Sequence, residues 1–390
     1  MFGSRIKRVA VVATAFTLLG GTALFAGAGQ VAAAKPVGHA GHNGPQHIFF
    51  IEMENHGFSE IIGNHADAPY INWLAKHNGL ATNYYGVTHP SLPNYLATIS
   101  GSFQGIWDDC AAGASITCPP EEFVPGTGDG TDGNYLKASQ IASASAQPHL
   151  FNGRTIVDQL ESKGLTWKAY MQSIPAVGST VEYAPTIGGT IYKLYAQKHD
   201  PFMYFARINH PGSPRLKKIV PYRGLADDLA SGNVPNFVWV SPNQCRDMHG
   251  TDYPSAVALG IPKCGYPVSG LDHGAIQLGD TFVKNAVTQI MRSTTWKTTD
   301  SSIVITWDED DYTSFFGCCY SPRGRMGVVL GGSKVPTIVI NSRDGGRRRT
   351  DVRSNHYSLL ATIERLWNLG CLANSCKIQN SGLVTSLFHP

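Results

Sequence analysis

The sequence predicts an α/β fold: a mostly parallel central sheet with helices on both faces, interrupted by irregular loop insertions. Three observations carry that expectation. Short apolar runs of strand length alternate with longer stretches of helical spacing through most of the chain. Four of those runs end abruptly in polar clusters, as expected where a site forms outside the carboxyl ends of strands in an open sheet. The composition, 42% hydrophobic and 15% charged over 390 residues, supplies a buried core and excludes a disordered chain.

Residues 1–34 stand apart from the fold. Arg5, Lys7 and Arg8 form a basic start, Val9 to Phe25 an apolar stretch and Ala32-Ala33-Ala34 a small-residue cleavage site, which reads as a secretory signal peptide ahead of one domain over 35–390. The expected location is therefore extracellular. Three of the 31 Lys and Arg lie in that segment and none of the 28 Asp and Glu, so the remainder is formally neutral, 28 against 28. That balance points to no nucleic-acid partner. No later apolar run reaches the roughly 18 residues of a membrane span, so stable membrane insertion is not expected. The sequence does not set the oligomeric state.

Eight cysteines follow the signal segment, an even count that favours disulfides in an exported chain. Cys110 with Cys118 and Cys371 with Cys376 are close enough for local staples, and Cys245 with Cys264 would close a loop. Cys318 and Cys319 are adjacent, and either bond each other or pair elsewhere. The absence of a CxxC pair argues against structural zinc.

In chain order, His47 to Ile51 is a buried-strand run, Tyr70 to His77 a helix and Ala81 to Val87 a strand. Ser91 opens an apolar helix, Leu92 to Ile99, closed by Gly101; a proline at its third position is tolerable because first-turn N–H groups have no intrahelical partner. The stretch 103–148, rich in Gly, Ser, Asp and Pro, reads as an irregular insertion of the kind that forms lids. Thr155 to Lys163 is a helix, Leu165 to Met171 a strand, and Ile191 to Arg207 a helix interrupted at Pro201. Asn236 to Val240 is a strand, followed by a second irregular stretch at 250–270. Ala275 to Arg292 is a helix, Ser302 to Trp307 and Pro336 to Ile340 are strands, and His356 to Leu369 is the last long helix.

The polar clusters at strand ends are Glu54-Asn55, His89 with Ser91, Asp247 with His249, and Asp308-Glu309. Carboxylate, amide, imidazole and hydroxyl together are an inventory for a divalent cation and a phosphate ester. Taken singly, each has an ordinary structural reading: Ser91 as an N-cap, the histidines as capping or core residues, Asp308 to Asp311 as a solvated loop. Clustered carboxylates at a buried sheet edge repel one another unless a cation compensates, which favours a metal there. His356 opens a helix, where it would lie beside a bound anion.

Glu54-Asn55-His56, Thr88-His-Pro-Ser91-Leu-Pro-Asn94, Pro242-Asn-Gln-Cys-Arg-Asp-Met-His249, Thr306-Trp-Asp-Glu-Asp-Asp311 and Asn355-His-Tyr-Ser358 resemble, in order, the successive motifs of the bacterial phosphoesterase family. That family includes secreted acid phosphatases and phospholipases C and is related to the alkaline phosphatase superfamily; the likeness spans about Gln46 to Asn368. The resemblance implies a Ser or Thr nucleophile, here Ser91, and one or two divalent metal ions of unassigned identity. It implies metal ligands at Glu54, Asn55, Ser91, Asp247, Asp308 and Glu309, catalytic roles for His249 and His356, and substrate contacts from Asn55, His89, Asn94 and His273. His249 and His273 compete for one role, because about twenty residues containing Cys264 separate His249 from the helix that follows it more closely in relatives.

The expected function is a secreted, metal-dependent phosphoesterase hydrolysing small phosphate monoesters through a phosphoserine. The alternative within the same chemistry is a phospholipase C. An alternative of another class is a non-catalytic secreted phosphate- or metal-binding protein, against which the Ser91 hydroxyl and the paired carboxylates argue.

Overall fold

A computed structural model describes residues 44–121, 135–344 and 346–388. The signal-peptide segment lies outside the described residues. The strands are β1 (His47–Met53), β2 (Gly79–Ala81), β3 (Tyr84–Tyr85), β4 (Trp167–Met171), β5 (Tyr183–Ile187), β6 (Thr190–Ala196), β7 (Ile219–Pro221), β8 (Phe237–Ser241), β9 (Ser301–Trp307), β10 (Thr337–Asn341), β11 (Arg348–Thr350) and β12 (Ser354–Asn355). The helices are α1 (Phe58–Ile61), α2 (Pro69–His77), α3 (Ser91–Ser100), α4 (Ala138–Ser145), α5 (Ile156–Ser162), α6 (Gly224–Ser231), α7 (Tyr253–Ala258), α8 (His273–Arg292), α9 (Thr294–Thr298) and α10 (His356–Trp367).

Eight strands form the central sheet in the order β11-β2-β10-β9-β1-β8-β4-β7. Only β10 runs antiparallel to its neighbours, so the sheet is mostly parallel and the fold is α/β. Every residue of β8, β9 and β10 is buried. Successive side chains point to opposite faces, so both faces of the central strands are covered. The helices pack in two groups, α3 with α5 and α10, and α2 with α8, which also meets α9. At the centre, Phe50 of β1 stacks on Trp239 of β8 with centroids 4.9 Å apart. Each such fully buried aromatic contributes roughly 1.5–3 kcal/mol.

Three expectations need correction. Ile191 to Arg207 is not an interrupted helix: β5 and β6 make a hairpin across Gly188 and Gly189, whose φ of 59° and 85° suit a two-residue turn. The β-branched and aromatic residues Ile191, Tyr192 and Tyr195 favour the strand, and single 3₁₀ turns at Gln197–His199 and Pro201–Tyr204 follow. Ala81 to Val87 is not one strand, because the chain leaves the central sheet after β2 and β3 pairs with β12 instead. Both irregular insertions carry a helix, α4 in the first and α7 in the second.

The cysteines bond as 110 to 118, 245 to 264, 318 to 319 and 371 to 376. Among the described residues, no helix is long and apolar enough to cross a membrane.

Candidate active site

The parallel neighbours β8, β1 and β9 end at one edge of the sheet, where backbone bonds join the turns that follow them. Glu54 N donates to the Asp247 carbonyl at 2.8 Å, and Asp308 N donates to the Met53 carbonyl at 3.1 Å. Asn55, left-handed at φ 53°, donates its N–H to Asp308 Oδ1 at 3.2 Å. Asparagine tolerates that conformation better than most residues. Three carboxylates from separate strands are thereby fixed at the same edge.

Ser91 reaches this edge from the start of α3. Its Oγ lies 2.8 Å from Glu54 Oε2 and 3.3 Å from Glu309 Oε1, and its single proton can serve one of them at a time. Asn94, one turn along α3, ties the preceding loop. Its Oδ1 accepts from Val87 N and Thr88 N at 2.8 and 3.1 Å, and its Nδ2 donates to the Thr88 carbonyl at 2.7 Å and to Glu309 Oε2 at 3.1 Å. His89 Nδ1 sits 2.8 Å from the same Glu309 oxygen. Thr88, the other hydroxyl of this motif, accepts from Trp107 Nε1 at 3.1 Å and so faces the first insertion rather than Glu54.

Two residues that sequence reasoning passed over complete the cluster. His199 stands between Glu54 Oε1, 3.1 Å from its Nε2, and Asp247 Oδ2, 3.2 Å from its Nδ1. Lys198 Nζ donates to Asp109 Oδ2 at 2.6 Å and lies 3.2 Å from His249 Nε2. His249 Nδ1 lies 3.1 Å from the Gly250 carbonyl, which assigns the proton to that nitrogen and leaves Nε2 to accept from Lys198. A run Gln197-Lys-His-Asp200 ahead of Pro201 was the available signal, obscured by reading that stretch as helix.

Burial dominates the electrostatics. It raises the carboxyls of Glu52, Glu54, Asp247 and Asp308 well above the usual range, with neighbouring carboxylates adding to the rise. It lowers His199 strongly and brings His249 to about 3, with Lys198 pushing both in the same direction, so both rings are neutral. For Lys198, burial alone would lower the ammonium, but Asp109, Glu54 and Glu309 outweigh it and the group stays cationic.

The donor set fits a divalent cation. Asn55 Oδ1 and Asp308 Oδ2 are buried without a hydrogen-bond partner, and Glu54 Oε1 and Asp247 Oδ2 face the two His199 nitrogens without hydrogen-bond geometry. One ligand atom each from Glu54, His199 and His249 lies within 4.8 Å of the others. Oxygen and imidazole donors together suit several divalent metals.

Of the residues expected from sequence, Glu54, Asn55, Ser91, Asn94, His89, Asp247, Asp308 and Glu309 meet through these contacts, and His249 joins them through Lys198. His356 stands behind the cluster: its Nε2 donates to the Asp308 carbonyl at 2.6 Å and its Nδ1 accepts from Tyr84 at 3.0 Å, so both nitrogens are engaged. His273 is elsewhere. Its side chain is 67% exposed and pairs with Asp67 at 2.6 Å, held there by the start of α8, while His249 occupies the place beside the carboxylates.

Residues 64–370 match the model of the Phosphoesterase family, and the chain belongs to that family. It is 27% identical over 83% of its length to a phosphatidylinositol-3-phosphatase of Mycobacterium tuberculosis, covering 77% of that protein. It is 24% identical, also over 83% of its length, to an acid phosphatase of Aspergillus fumigatus. The chain spans 55% of that fungal protein and a similar share of other fungal acid phosphatases that it matches. Among solved structures, a protein in the alkaline phosphatase superfamily from Vibrio parahaemolyticus is 13% identical, with a TM-score of 0.45, covering 87% of this chain and 71% of that one.

Proposed function

We propose that the protein is a secreted phosphoric ester hydrolase that cleaves phosphate monoesters with Ser91 as nucleophile. The observation that carries this reading is the placement of Ser91 Oγ between two carboxylates at the first residue of a ten-residue helix. The helix dipole there favours a phosphate anion; of the first-turn donors, the Leu92 N–H serves Asp109 Oδ1, and Pro90 and Pro93 have none.

In the proposed reaction Ser91 Oγ attacks phosphorus, its proton passes to Glu54, the phosphorus–oxygen bond of the ester breaks, and the departing alkoxide takes a proton from water, leaving a phosphoserine. The hydroxide so formed attacks that phosphorus, the bond from phosphorus to the Ser91 oxygen breaks, Glu54 returns the proton to that oxygen, and inorganic phosphate is released. Asn94 fixes the loop that carries the nucleophile and holds Glu309. Lys198, with His249 beside it, supplies the positive charge facing the phosphoryl oxygens. His356 acts as a positioning residue through the Asp308 carbonyl, and His89 steadies Glu309. Glu54, Asn55, Asp247, Asp308 and His199 would hold a divalent cation, which supplies charge that activates a hydroxyl and stabilises phosphoryl oxygens.

Export is supported by the signal-like segment 1–34 and by four disulfides, which persist in oxidising compartments. The name of the mycobacterial relative places a phosphoinositide monoester among the substrates to try. The test is phosphate release from p-nitrophenyl phosphate, bis-p-nitrophenyl phosphate, phosphatidylinositol 3-phosphate and phosphatidylcholine, with and without chelator. Monoesters are expected to lead, and chelator to suppress them. Diester or phosphatidylcholine cleavage ahead of every monoester would favour the phospholipase C reading.

A further inference from the structure

A cavity of about 580 Å³ opens between residues 317–329, Arg353 and the C-terminal stretch 377–382. Among the described residues its walls carry Arg323, Arg353 and Lys377 and no carboxylate. Each cation meets a neutral acceptor: Arg323 the Gly327 carbonyl at 2.9 Å, Arg353 the Gly317 carbonyl at 2.8 Å, and Lys377 Asn374 Oδ1 at 2.9 Å. None of the three forms an ion pair among the described residues. Three like charges around one cavity repel unless an anion enters.

The wall itself is built rather than loose. Asn355 Nδ2 donates to the carbonyls of Cys318 and Cys319 at 3.1 and 3.3 Å, and Asn355 also caps α10. Tyr320 Oη donates to the Lys377 carbonyl at 3.1 Å, joining the two segments across the opening.

We propose that this cavity is a second anion site that takes a phosphate dianion, free or as the terminal group of a phosphate ester, apart from the Ser91 cluster. Guanidinium groups and an ammonium match the charge of tetrahedral phosphate oxygens. The volume exceeds that of bare phosphate, which leaves room for the organic part of an ester beside the half-exposed Tyr320 ring, over which Lys377 Nζ lies at 5.5 Å. None of the cavity-lining residues belongs to the Ser91 cluster, so the site does not depend on the hydrolase reading.

The test is calorimetric titration of the full-length protein with inorganic phosphate and, separately, with phenylphosphonate. Arg323→Gln/Lys377→Gln is expected to bind one anion fewer than wild type while p-nitrophenyl phosphate turnover is retained. Arg353→Gln, a single change at the third cation, is expected to weaken the same binding event about tenfold, the scale of one lost hydrogen bond to a charged group. Tighter binding of phenylphosphonate than of phosphate at this event assigns the site to ester-borne phosphate, and the opposite order assigns it to the free anion. Equal stoichiometry in wild type and the double variant, or unchanged affinity in Arg353→Gln, overturns the proposal. Loss of turnover in Ser91→Ala with the cavity event intact would separate this site from the catalytic one.

Discussion

Asp109 and Lys198 form a partly buried bridge over the start of α3: Asp109 Oδ2 accepts from Lys198 Nζ at 2.6 Å, while its other oxygen accepts from the Leu92 N–H at 2.9 Å. One carboxylate therefore joins the first insertion, the residue after the proposed nucleophile and the cation beside His249. Lys198→Met is expected to lower kcat/KM for a monoester by roughly 10²-fold, the scale of one preorganised charge lost from a phosphoryl site. Lys198→Arg should recover part of that loss. Wild-type kcat/KM in Lys198→Met would remove Lys198 from the reaction.

Ser91 and Thr88 separate two assignments of the nucleophile. Ser91 Oγ contacts Glu54 and Glu309, whereas Thr88 Oγ1 accepts from Trp107. Ser91→Ala is expected to reduce turnover by on the order of 10³-fold or more with the thermal transition preserved, as for removal of other catalytic nucleophiles. Thr88→Val keeps the β-branch and should cost far less. A phosphopeptide mapped to Thr88 after acid quench would reverse the assignment.

Two of the strand ends were legible because the strand is a compact apolar run, Ile48 to Ile51 and Ile303 to Ile305, broken by a carboxylate within three residues. A strand buried on both faces has no polar alternation to blur its end. His199 was not legible for the opposite reason. Ile191, Leu194 and Tyr195 fit a helical stripe as well as a strand, and only pairing with β5 decides between them. The partners of His199, Glu54 and Asp247, come from distant segments that no local spacing connects. His273 illustrates the converse: its place in the sequence suited a site residue, but the start of α8 turns it to Asp67.

The disulfide between Cys245 and Cys264 closes a loop that contains Asp247, His249 and most of the second insertion. A loop of that size stabilises the fold by about 3 kcal/mol through the entropy of the unfolded chain. Cys245→Ala/Cys264→Ala should lose about that much in denaturant unfolding. Thiol titration of the native and the denatured wild-type protein should find no free thiol, since all eight cysteines are bonded. Several reactive thiols under denaturant without reductant would contradict the pairing.

Glu364, in the middle of α10 and 2% exposed, accepts from Gln159 Nε2 at 2.9 Å. Burial raises its carboxyl from 4.5 to about 7, and hydrogen bonds from Ser375, Gln159 and the Leu372 backbone only partly oppose the rise. The folded state thus holds this proton more tightly than the unfolded state does. Its contribution to stability is full below the unfolded value of 4.5 and is lost as pH climbs through about 7. Glu364→Gln keeps an oxygen for Gln159 and has no charge to bury. The variant should therefore gain on wild type between about pH 5 and pH 8, with the difference flat below about pH 4.5. Glu121, also raised to about 7 by burial and by Asp109 and Asp108, leaves a residual slope in both proteins. Urea midpoints measured across that range check the prediction, and parallel curves for the two proteins would show that Glu364 is not the group responsible.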